Sequence, residues 1–76
     1  MKYANGKDVK LGDQIQIATA VFGEIVAVIE KGDFAASLLK KEWEYLQYGV
    51  LINSPQMGLV HETVFDEGVK LIRRIE

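Results

Sequence analysis

The stretch that decides the fold is GEIVAVIE, residues 23–30. Its centre, Ile25-Val26-Ala27-Val28-Ile29, is apolar at every position. A strand that alternates buries one face, whereas a strand apolar on both faces needs cover on both. Simple alternation puts Ile25, Ala27 and Ile29 on one face and Val26 and Val28 on the other. One set lines the interior of a small barrel. The other set needs a helix, a folded-back segment or another subunit over it. The expectation is a second copy of the chain, because one short helix covers little area. Val26 and Val28 are then candidate partner-binding residues.

The flanking segments surround this strand with turns and shorter strands. In NGKDVKLGDQIQI, residues 5–17, Asn5-Gly6 and Gly12-Asp13 suit tight turns. Ile15 and Ile17 then alternate with Gln14 and Gln16, which predicts a strand over 14–18. Lys31-Gly32-Asp33 breaks the apolar strand, and the period changes. Leu39, Trp43 and Leu46 fall at spacings of four and three, one face of a helix over about 34–48. Asp33 or Ser37 suits its start and Gly49 the position past its end. GVLINSPQMGLVHE reads as a hairpin with strands 50–53 and 59–62 around Pro55. A polar loop over 63–68 leads to a last strand, with Val69, Leu71 and Arg73 facing one way and Lys70, Ile72 and Arg74 the other. About five short strands with one inserted helix predict a mainly β, partly open barrel.

The chain has 76 residues, which fits a single domain over 1–76. A domain of this size buries roughly 60% of its unfolded surface, so the core is thin. It has no cysteine, so packing, self-association or a partner must supply the stability. Its hydrophobic fraction of 49% is enough for a core. The net charge of −2 lacks the basic excess on which nucleic-acid modules depend. The opening residues do not fit the pattern of a secretory leader, and no apolar run reaches the roughly 18 residues of a membrane span. The expectation is a soluble, cytoplasmic protein.

Val9, Gly12-Asp13, Ile15, Ile17, Gly23 and Ile25 resemble the opening of an SH3-like barrel of the KOW type, over about the first third of the chain. The resemblance implies RNA or ribosome-associated binding. The chain departs from that pattern in its TAVF loop, which is neither basic nor glycine-rich, and in Glu24, where a basic residue is more usual. A second resemblance, carried by WEYLQYGVLINS, GLVHE and the Gly-Asp opening, is to small uncharacterised bacterial proteins of undefined function. It implies a fold, with an antitoxin-like immunity role as one candidate.

Residues able to carry chemistry are few. His61 is the single histidine, and a zinc site would need carboxylates to complete it. The favoured alternative is a strand histidine, partly exposed or bonded to a neighbouring carbonyl, which leaves His61 a disfavoured polar site. Ser37 and Ser54 sit where serine serves backbone geometry, and neither a nucleophile elbow nor a phosphate loop is present. The expectation is no catalytic residue, no metal and no cofactor. Trp43 reads as the helix's plug into the core, while Tyr45 and Tyr48 lie off that line and are candidate partner contacts. Lys70, Arg73 and Arg74 are the densest basic group. Alternation divides them, and they read as a solvated edge strand and a disfavoured nucleic-acid contact. The expected function is a non-enzymatic protein-interaction module with a protein partner or a homodimer.

Overall fold

The computed structural model describes residues 1–74. Six antiparallel strands form one sheet: β1 (Gln14–Ala18), β2 (Val21–Val28), β3 (Asp33–Phe34), β4 (Val50–Ser54), β5 (Gly58–Glu62) and β6 (Lys70–Arg73). The order across the sheet is β5-β4-β2-β1-β6, with β3 paired to the end of β2. The protein is thus mainly β with one short helix, α1 (Lys40–Trp43).

Three expectations are corrected. The helix over 34–48 is not formed as such. β2 extends past β1, and its free backbone at Ala27 and Val28 is taken up by Phe34 and Asp33. The Ala35 N–H donates to the Val26 carbonyl at 2.8 Å. A backbone group this deep requires a partner, and the sheet edge claims the segment before a helix can begin. What remains is four residues of α1 and a 3₁₀ turn, Glu44–Leu46, ended by Gln47 in the left-handed region at φ 64°. Neither Asp33 nor Ser37 caps α1; Leu39 occupies that position without a side-chain bond. Trp43 and Leu46 pack inward as the spacing implies, but Leu38 joins them and Leu39 is exposed.

The second correction concerns the faces of β2. Ile25 pairs with Ile52 and Ala27 with Leu51, so Val26 is an extra residue in a β-bulge. The bulge inverts the alternation after it. Ile25 and Val28 lie in one core with Val9, Ile15, Val50 and Ile52, whereas Val26, Ala27 and Ile29 lie in a second core with Leu51. Val26 and Val28 therefore do not share a face. The third correction concerns their cover. The second core is closed by Phe34, Ala35, Leu38, Trp43 and Leu46 of the same chain. Val26 and Val28 are both buried. Burying a valine is worth roughly 1.5–3 kcal/mol, one part of what holds the short segment in place.

The main core is sealed at one side by the connection between β5 and β6. Phe65 and Val69 of that connection are buried in it, and Tyr3 stacks on Phe65 with ring centroids 5.6 Å apart. Gly23 is packed on this inner side. A Cβ there would meet Ile52 Cγ2 at 2.5 Å, so only glycine lets β2 and β4 approach with Ile52 between them.

Candidate functional site

Among the described residues, two places bring chemically capable side chains together. The first is buried. Asp13, at the Gly12 turn before β1, is 0% exposed. Its carboxylate accepts the Tyr3 hydroxyl at 2.6 Å, the Lys10 N–H at 3.0 Å and Arg74 Nε and Nη2 at 2.8 and 3.0 Å. Arg74 Nη2 also donates to the Asp8 carbonyl at 2.8 Å. Burial alone would raise the Asp13 carboxyl. The bonds from Arg74, Tyr3 and Lys10 outweigh it and hold the group below its ordinary value. The Tyr3 phenol is pushed far up, first by burial and then by Asp13, and stays protonated. The carboxylate is met by donors from three residues, so this cluster works as a clasp joining the segment at Tyr3 and Lys10 to the residue that follows β6.

Arg74 is therefore reassigned. Expected on a solvated edge with Lys70, it is committed to Asp13, and its side chain is about one-fifth exposed at 21%. Of the expected basic group, Lys70 and Arg73 are exposed, and alternation does not divide them: the register shift in β6 pairs them with Gln16 and Gln14, so both face outward. His61 is exposed, and its Nε2–H donates to the Tyr48 carbonyl at 2.9 Å. Tyr45 and Tyr48 are exposed, and Trp43 is half-buried against the second core. Among the described residues, no three His, Asp or Glu side chains gather as a metal site. No helix among them is long and apolar enough to cross a membrane.

The second place is open. On the outer face of the sheet, a groove of about 560 Å³ is lined by Gln14, Phe22, Glu24, Asn53, Pro55 and Ile72. Strand register orders these residues into two rows. Asn53, Glu24, Gln14 and Arg73 are successive cross-strand partners from β4 to β6. Phe22, Gln16 and Lys70 form the adjacent row across β2, β1 and β6. The buried Ile15 and Gly23 between them point inward, which leaves both rows facing out. Ile72 arrives by a second bulge. Gln14 pairs with Arg73 and Ile15 with Leu71, so Ile72 is the extra residue, and it is 54% exposed. Phe22 is 43% exposed. Gln56 accepts the Phe22 N–H at 3.1 Å and holds the Pro55 turn across one end of the groove.

Periodicity does not reveal this groove. Phe22 lies in a segment that reads as a loop, and the alternation that would place Ile72 is interrupted by the bulge. The Asp13 clasp is hidden because a Gly-Asp pair is explained by a turn alone, and its partners lie 10 and 61 residues away. No protein-family model matches the chain, and searches of curated proteins and of solved structures find no similar protein. The chain belongs with small, mostly β, antiparallel-sheet proteins by its architecture alone.

Proposed function

We propose that the chain is a non-enzymatic protein-interaction module on an SH3-like, partly open barrel, docking through the outer-face groove. The observation that carries this is the exposure of two large apolar side chains, Phe22 and Ile72, on a concave face rimmed by amides and one carboxylate. A concave apolar floor with a few polar groups is the usual form of a recognition surface, and exposed contiguous apolar area on a small domain marks an interface. The barrel reading is supported by the connection over 63–69, which packs Phe65 and Val69 into the core between β5 and β6. The polar groups of the Asp13 cluster are saturated by one another, which favours a structural over a chemical role.

The test places a photo-crosslinking amino acid at position 22 and, separately, at exposed Val64, outside the groove lining. Irradiation in cells is expected to yield protein adducts from position 22 and none from 64. Only uncrosslinked chain at position 22 overturns the reading.

A further inference from the structure

We infer that the occupant of the groove is a second copy of this chain, packed face to face about a two-fold axis that runs above β1 and parallel to it. This rests on the protein-interaction reading above. The reason is the arrangement of the rows. β2 and β6 flank β1, each at about 4.8 Å. Rotation about such an axis exchanges them. Glu24 on β2 then faces Arg73 on β6 of the second copy, and Arg73 faces its Glu24. One symmetric operation makes two ion pairs, as a two-fold interface requires. Among the described residues, neither Glu24 nor Arg73 has an ion pair within the chain.

The remaining residues obey the same symmetry. Gln14 and Gln16 lie under the axis and meet their own counterparts; an amide carries both donor and acceptor and pairs with itself. Phe22 faces the aliphatic stem and ammonium of Lys70, a favourable cation–π partner. Ile72, raised by its bulge between the Arg73 and Lys70 levels, enters the groove between Glu24 and Phe22 of the second copy. The exposed isoleucine and the groove are thus two halves of one contact. A stable dimer takes roughly 800 Å² from each partner, about a sixth of the chain's 4853 Å². The whole open half of the face, including Asn53 and Leu59, is therefore engaged. This open half of the face is not the region expected from Val26 and Val28, both of which the chain buries itself.

The experiment is sedimentation equilibrium across a dilution series from micromolar to millimolar. The wild-type chain is expected to shift from monomer to dimer. Glu24→Arg and Arg73→Glu are each expected to weaken the dimer at least about tenfold, since each sets like charges opposite one another. Mixed together they are expected to form a one-to-one heterodimer. In it the introduced arginine of one variant meets the introduced glutamate of the other, and the native Arg73 of the first meets the native Glu24 of the second. Both positions are exposed, and circular dichroism verifies that each variant is folded. Should one unfold, Ile72→Asp supplies the dissociating variant. A wild type monomeric throughout overturns the inference, and so does a dimer indifferent to these changes. If position 22 still crosslinks to a different protein, the interaction reading survives that failure; if it crosslinks to nothing, both readings fall.

Discussion

Val26 and Ile72 are each the extra residue of a β-bulge, and each delivers an apolar side chain to the outer face of the same sheet. Val26 is 6% exposed and Ile72 is 54% exposed. The difference lies in the chain around each. Beyond Val26, the segment over 34–46 folds back on β2 and closes a second core with Phe34, Trp43 and Leu46. Above Ile72 the groove stays open, flanked by Phe22 and Pro55. One backbone device thus serves two ends: in one half of the face the bulge enlarges the core, and in the other it builds a surface. Bulges at a sheet edge commonly re-aim a side chain in this way.

The largest expected effect breaks the anchor of the open half. Arg74, two residues past the Ile72 bulge, is tied to Asp13. Asp13→Ala removes the buried carboxylate that the Arg74 guanidinium and the Tyr3 hydroxyl share and is expected to cost about 3–5 kcal/mol, near the whole stability of a domain this small. Urea midpoints measure it. The same carboxyl sets a pH dependence. Its folded pKa lies below the unfolded value of roughly 3.9, so its contribution is present above that value and lost as pH falls through the folded one. Asp13→Asn is expected to flatten this acid loss in an acid titration of stability. Identical acid profiles for the two chains would remove Asp13 from that role.

Next in size is the cover of the closed half. Trp43→Ala strips the largest side chain packed over the second core and is expected to cost about 3 kcal/mol. A urea midpoint equal to that of the wild type would mean that the backbone pairing of β3 alone holds the segment down.

The smallest effects compare the bulges directly. In dilute solution, Val26→Ala is expected to cost about 1.5 kcal/mol, and Ile72→Ala no more than about 0.5 kcal/mol. At concentrations where the chain self-associates, Ile72→Ala is expected to be the more damaging for association. Equal losses at both positions in dilute solution would erase the distinction between the halves.

Much of the fold is legible in the residues. Alternation at Ile15 and Ile17 marks β1 at its observed bounds, and Pro55 marks the β4–β5 turn. The changed spacing around Trp43 identifies the packing segment, although most of it is not helix. The doubly apolar run in β2 correctly announces two buried faces. The candidate site is less legible, because Ile72 and Phe22 are ordinary apolar residues until their neighbours across the sheet are known.

The sequence alone determined much of the local conformation: where β1, β4 and β5 form, where glycine and proline turn the chain, and how much apolar surface needs burial. These depend on residues close together in the chain. The tertiary structure decided which side chain lies on which face, because a single extra residue inverts a period of two and the need for that residue is set by the partner strand. It also decided that Asp13 is a clasp, since Tyr3 and Arg74 reach it only after the sheet has formed. Finally, it decided that the second face of β2 is covered from within. A free edge on β2 captures the backbone at 33–35, and no periodicity in the chain records that competition between sheet edge and helix.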